Sequence, residues 1–177
     1  MCITNQGQKY SQPSLLLNKS QLTFVDKVKY LGHVITSCLN DDSDIDRQIR
    51  SLYCRSNMLV KKFGKCSDFV KCFLFKSFCS NMYCCSLWSK NHLYKSHRLY
   101  VTYNNAIRRF LHLPRRCSAS QMYVMTNIPS PLCIIRKNCF SIYSRVSMSQ
   151  KDLVRKLFIV NVFCKGSLAS HWMQQFI

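Results

Sequence analysis

The chain has 177 residues, 47% of them hydrophobic, which is the size of one ordinary domain and enough apolar mass to exclude wholesale disorder. Its 26 lysines and arginines face 7 acidic residues, all aspartate, for a net charge of +19. That field favours a polyanionic partner, nucleic acid first and an anionic membrane surface second, although a generic basic protein of ribosomal type shares it.

Residues 1–13 are polar, carry Gly7 and Pro13, and are expected to form a flexible N-terminus. Residues 14–40 read as a small β ribbon. Leu15-Leu16-Leu17 and Leu22-Thr23-Phe24-Val25 flank Asn18-Lys19-Ser20, which has the composition of a hairpin turn. Val28 to Thr36 reads as a third strand, with Gly32 marking a close backbone approach or a bulge.

After Asn40 the period becomes helical. Ser43 and Asp46 make a capping pair, and Asp41, Asp42 and Asp44 suit the positive end of a helix. Ile45, Ile49, Leu52, Tyr53, Leu59, Val60 and Phe63 share one face, and Gly64 supplies a stop. Arg47, Arg50, Arg55, Lys61 and Lys62 occupy the opposite side. A second helix is expected from Ser67 or Asp68 to about Trp88. It is apolar on most sides, which predicts a place at the centre of a bundle. A third runs from about Lys95 to His112, with Leu99, Tyr103, Ala106, Ile107 and Phe110 as its core stripe and Pro114 as its end. Arg98, Asn105, Arg108 and Arg109 form its polar side. Shorter helices follow: Ser118 to about Thr126, one opened by Ser130-Pro131, and one from Gln150 to about Phe163. The expected class is mainly α, a helical bundle preceded by a β-hairpin or ribbon, divided at residues 1–13, 14–40, 41–114 and 115–177.

The series Val28-Lys29-Tyr30-Leu31-Gly32-His33, the Asp-rich run Asn40 to Asp46, Arg47-Gln48, Leu52-Tyr53 and Asn57-Met58-Leu59 resembles the post-palm region of non-LTR (LINE-type) retrotransposon reverse transcriptases. The likeness continues through Lys62-Phe63, Cys66-Ser67-Asp68, Val70-Lys71, Leu74-Phe75, Leu87-Trp88, Tyr103-Asn104-Asn105-Ala106 with Arg108, and Pro114-Arg115 with Ser118-Ala119-Ser120. It spans about residues 14–147. The resemblance implies that Lys29, Tyr30, Leu31 and Gly32 belong to a primer-grip hairpin. It also implies a thumb from residue 43 to about 112 that holds a template–primer duplex, and a connection from about 115 onward. Arg47, Arg50, Arg55, Lys61 and Lys62 are then candidate phosphate contacts, which would give affinity and register without sequence choice. A solvated helix face is the other reading of the same residues.

The family's aromatic-x-Asp-Asp motif and its upstream aspartate, which hold two divalent metals, are not found in this sequence. The chain alone is therefore expected not to be catalytic, with Mg²⁺ bound only where the missing palm is present. Asp41 and Asp42 are adjacent but follow the hairpin, and they read as helix-start residues. Asp42, Asp44 and Asp46 imitate the start of a calcium loop, but Arg47 stands at the glycine position and Tyr53 at the bidentate carboxylate. Cys84, Cys85, His92 and His97 fit no closed zinc spacing, and Cys79 and Cys117 have no base partner for nucleophilic work. No phosphate-binding glycine loop or small-molecule site is evident. Twelve cysteines in a helix-rich chain read as reduced thiols, most of them small core residues like the tryptophans Trp88 and Trp172. The apolar stretch Phe69 to Trp88 is broken by Lys71 and Lys76 and falls short of a membrane span. With no secretory signal at its start, a nuclear or cytoplasmic location is expected. The function expected from the resemblance is template–primer binding by a reverse-transcriptase fragment. A non-enzymatic basic helical nucleic-acid binder and a retroelement relic without a role are the alternatives.

Overall fold

The structure is a computed structural model describing residues 14–38, 40–88 and 93–163. The flexible N-terminus expected over 1–13, Trp172 and His92 lie outside the described residues. Among the described residues two antiparallel hairpins precede six α-helices, a mainly α architecture behind a β ribbon as the sequence pattern predicts. The first hairpin joins β1 (Leu16–Leu17) to β2 (Ser20–Gln21). The second joins β3 (Lys27–Tyr30) to β4 (His33–Thr36), with Tyr30 opposite His33. Val28 to Thr36 is thus not one strand but a strand, a two-residue turn and a second strand.

Helix α1 (Asp42–Phe63) begins earlier than the Ser43–Asp46 pair suggested. Its N-cap is Asp41, whose carbonyl accepts from the amides of Asp44 and Ile45. The first helical amide, that of Asp42, is met instead by Asn40 Oδ1 at 2.9 Å. Asn40, the residue before the N-cap, takes the satisfying role expected of Ser43, since its side-chain amide both accepts from that N–H and donates to Asp42 Oδ2. Ile45, Gln48, Ile49, Leu52, Ser56 and Leu59 form the buried face. Tyr53 and Phe63, counted with the apolar stripe on sequence, are exposed.

Helix α2 (Asp68–Phe78) is not central. Phe69 is 84% exposed and Phe73 63%, whereas only Lys71 and Phe75 are buried. Lys71 keeps its charge paired by reaching Asp68 at 3.4 Å. Nor does the helix reach Trp88. It stops before Cys79-Ser80-Asn81, whose Ser and Asn compete with helix for backbone hydrogen bonds. The chain then runs irregularly back along α1, through a left-handed Cys84 (φ +63°) and a 3₁₀ turn at Cys85–Leu87. Side chains of α1 replace the helical hydrogen bonds this stretch gives up. Arg55 Nη1 donates to the carbonyls of Phe78 and Asn81 (2.9 and 3.3 Å), and Gln48 Nε2 donates to that of Tyr83 (2.6 Å). Cys79, Met82, Cys85 and Trp88 insert into the core beneath it.

Helix α3 (Leu93–Phe110) carries the expected stripe: Leu99, Tyr103, Ala106, Ile107 and Phe110 are all buried. Arg98 bonds Asp46 on α1, and Arg109 bonds Asn57. Both pairs are 52 residues apart, so α1 and α3 run side by side in the same direction. The return segment makes that parallel arrangement possible, since α1 and α3 are joined by a stretch crossing back between their ends. The remaining helices are α4 (Ala119–Thr126), α5 (Pro131–Ser147) and α6 (Asp152–Phe163). Ser130 caps α5 by accepting from the Cys133 amide at 3.2 Å, with Pro131 at the first helical position. Asn138 of α5 reaches Cys85 Sγ, and Tyr143 packs edge-on against Phe158 of α6 at 5.4 Å. Among the described residues no helix is long and apolar enough to cross a membrane.

Candidate nucleic-acid interface

The Tyr30-Leu31-Gly32-His33 turn is built by backbone conformation before any ligand is considered. Leu31 has φ +45° and Gly32 φ +82°, the two positive values of a type I′ turn, whose twist matches that of the paired strands. Glycine adopts this freely; leucine does so at a cost of about 1–2 kcal/mol. Tyr83 of the return segment holds the turn, donating its hydroxyl to the Leu31 carbonyl at 2.8 Å. A Cβ on Gly32 would sit 3.2 Å from the Tyr83 ring. The sequence expectation of a close approach at Gly32 is met; that of a bulge is not. Gly32→Ala is expected to cost about 1–2 kcal/mol. Hydrogen exchange would report it as faster amides over residues 30–36 with α3 unchanged; uniform acceleration across the chain would contradict a locally held turn. Lys29, Tyr30 and Leu31 themselves point outward, with Tyr30 63% and Leu31 73% exposed.

Behind the turn lies a buried carboxylate. Asp44 has no exposed surface. Its Oδ1 accepts from Arg47 Nε (2.7 Å) and the Val34 amide (3.2 Å), and its Oδ2 accepts from Trp88 Nε1 (3.0 Å) with His33 Nδ1 3.1 Å away. Burial pushes the carboxyl pKa up. Arg47, Trp88, His33 and the Val34 amide together outweigh that, and the carboxyl ends below its ordinary value. One side chain thus joins β4, α1 and the end of the return segment, which fixes the hairpin on the first turn of α1. Sequence reasoning placed Asp44 at a helix end and missed this role; its only local signal was Arg47 three residues on.

The basic residues proposed on α1 separate into two groups. Arg47 and Arg55 do not lie on the open side: both are half-buried, Arg47 against Asp44 and Arg55 across the Phe78 and Asn81 carbonyls. They are committed because a buried carboxylate and orphaned carbonyls need donors. Arg50, Lys61 and Lys62 are exposed. At about 100° per residue, Arg50, Asn57 and Lys61 fall within some 40° of one another, on a stripe directly opposite the core. Asp46 and the stripe's own Asn57 mark its margin toward α3, and Asp44 marks the edge that meets the hairpin. Arg109 of α3 bonds Asn57 at 2.8 Å and brings a further guanidinium to it. Arg50 and Lys61 are about 16 Å apart along the axis, roughly five nucleotide steps of one strand.

Among the described residues no three His, Cys or Asp side chains gather where they could hold a metal ion. Asp44, the best buried of the carboxylates, has both oxygens occupied by donors, so this donor set does not fit the divalent pair of a polymerase palm. The ten described cysteines are unpaired with one another. Burial pushes the thiols of Cys79 and Cys85 up to about 11, so at neutral pH they are protonated core residues and poor nucleophiles. The chain matches no protein-family model, no curated protein and no solved structure.

Proposed function

We propose that this chain grips a nucleic-acid duplex, as the hairpin-and-thumb part of a LINE-type reverse transcriptase would hold template and primer, with the polymerising centre supplied by a palm that its residues do not form. The observation that supports this reading most is the solvent-facing stripe of Arg50, Lys61 and Arg109 on the α1–α3 pair, beside a hairpin whose outward turn residues are Tyr30 and Leu31. Among the described residues none of these three cations is paired with a carboxylate. Positive side chains on rigid helices contact phosphates without reading bases, so the expected preference is for helical form over sequence. Arg47 and Arg55 act in this reading by holding the hairpin and return segment in place, with Arg50, Lys61, Lys62 and Arg109 making the contacts.

Titrating the chain with a labelled RNA/DNA hybrid at several salt concentrations tests it. The Arg50→Gln/Lys61→Gln double variant is expected to flatten the slope of log K against log salt by roughly 2, about 0.9 per lost phosphate contact. An unchanged slope, or binding to single strands as tight as to the hybrid, would remove the support for a duplex grip.

A further inference from the structure

The last turn of α3 and the loop behind it frame an open concavity of about 480 Å³ lined by Asn105, Arg108, Arg109, His112, Leu113 and Arg115. Local backbone geometry makes this concavity. His112 takes a left-handed conformation (φ +54°), and the Leu113 amide closes back on the Arg108 carbonyl at 2.8 Å, the helix-ending arrangement usually built with glycine. The chain is thereby turned across the end of α3, and Arg115 is carried round to face the helix it has just left.

The guanidinium groups here are held for another purpose than ion pairing. Arg108 donates Nε and Nη2 to the Cys117 carbonyl (3.3 and 2.9 Å) and Nη1 to Asn105 Oδ1 (3.2 Å). Arg109 gives Nη1 to Asn57, and Arg115 is exposed with no hydrogen-bond partner among the described residues. Neutral oxygens fix two of the three groups, and among the described residues no carboxylate neutralises any of them. The seven aspartates lie elsewhere. Asp41, Asp42, Asp44 and Asp46 sit at the opposite end of the parallel α1–α3 pair, Asp68 is taken by Lys71, Asp152 by Arg155, and Asp26 precedes β3. The helix end contributes roughly half a negative charge, well short of three guanidiniums.

We propose that this cavity is a seat for a phosphate group, supplied either by the backbone of a bound nucleic acid, for which it rests on the duplex-grip reading, or by a free oligophosphate. Planar guanidiniums offer paired N–H donors that match phosphate oxygens, and two of them are already oriented without a competing anion. Asn105 and Leu113 close the sides with an amide and an apolar wall.

Titration of the full chain with inorganic tripolyphosphate, followed by calorimetry and by NMR of the arginine side chains, tests it. Saturable one-site binding is expected, with shifts at Arg108, Arg109 and Arg115. The Arg109→Gln/Arg115→Gln variant should weaken it roughly tenfold or more with an unchanged circular dichroism spectrum. Arg145→Gln/Lys156→Gln, which removes the same charge from α5 and α6, should leave it intact. Non-saturable binding, or equal loss in both variants, would overturn the seat. If Arg115→Gln alone, at a side chain with no hydrogen-bond partner among the described residues, leaves affinity unchanged, the seat is likewise overturned. A hybrid duplex that competes with tripolyphosphate and is weakened in Arg109→Gln/Arg115→Gln identifies the nucleic-acid source. Saturable tripolyphosphate binding by a chain that binds no duplex supports the free-oligophosphate source and removes the duplex-grip reading instead.

Discussion

Asp44→Ala is expected to destabilise the protein by about 3–5 kcal/mol, the cost of removing one partner from a buried charged cluster. Against a typical domain stability of about 5–15 kcal/mol, that is a large fraction. The loss would leave the Trp88 indole, the Val34 amide and the Arg47 guanidinium without their acceptor in a site closed to water. Asp44→Asn keeps one acceptor oxygen and is expected to cost less. The sign of the pH dependence follows from the lowered carboxyl pKa. A group whose pKa is depressed by folding stabilises fully above the ordinary carboxylate value, and that contribution is lost as pH falls through the depressed one. Urea unfolding at neutral pH and through the acid range measures both effects: the wild-type protein should lose stability toward acid more steeply than Asp44→Ala. A midpoint for Asp44→Ala within experimental error of wild type, or identical acid profiles, would mean that the hairpin is not held through this carboxylate.

Tyr103→Ala is the second large effect, at about 3–5 kcal/mol for loss of a buried aromatic and the cavity left behind. Tyr103 has no exposed surface and meets the Phe75 ring edge-on at 5.3 Å. Its hydroxyl lies 2.9 Å from Ser80 Oγ and 3.0 Å from the Pro129 carbonyl it donates to. It therefore ties α3 to α2, to the return segment and to the start of α5. Tyr103→Phe keeps the packing and strips the hydroxyl, leaving those oxygens to be met by other donors or not at all, for about 1–2 kcal/mol. Denaturant unfolding distinguishes the two: a phenylalanine variant as unstable as the alanine one would place the stabilisation in the hydroxyl rather than in the ring.

Where a periodic apolar stripe continues without interruption, it could be read directly. The apolar buried positions of α3 and most of those of α1 follow from spacing alone, and Ser130-Pro131 marks the start of α5. The second helix ends ten residues short of Trp88 because apolar content does not by itself imply helical continuity. Nothing in the run Phe69 to Trp88 distinguishes an aromatic that packs from one that points outward, and Phe69 and Phe73 do the latter. The break at Cys79 depends on α1, whose Arg55 and Gln48 reach across 23 and 35 residues to the freed carbonyls. Such contacts leave no local trace. The same holds for the candidate site. Arg47, Arg50 and Arg55 all count as basic positions off the apolar stripe, yet Arg47 turns to Asp44 three residues before it, Arg55 to carbonyls more than twenty residues away, and Arg50 to solvent. Asp44 reads as one more acid at a helix start until the indole of Trp88, 44 residues away, is seen against it. The cavity at the end of α3 required a histidine in a conformation that sequence normally assigns to glycine.

Packing α1 and α3 in the same sense places two helix macrodipoles alongside each other, an arrangement that is repulsive by itself and differs from the self-cancelling geometry of antiparallel neighbours. Acids in the first turn of α1 and bases in the last turns of both helices (Lys61, Lys62, Arg108, Arg109) offset it. The side chains that relieve this internal repulsion also give the molecule a lengthwise polarity. In dilute salt the field of a nearby polyanion would exert a torque on such a molecule before any contact formed, turning the carboxyl-terminal ends of both helices toward it. If the chain grips a duplex as proposed, ionic screening would weaken that alignment as well as the grip, so added salt would slow capture in addition to speeding release.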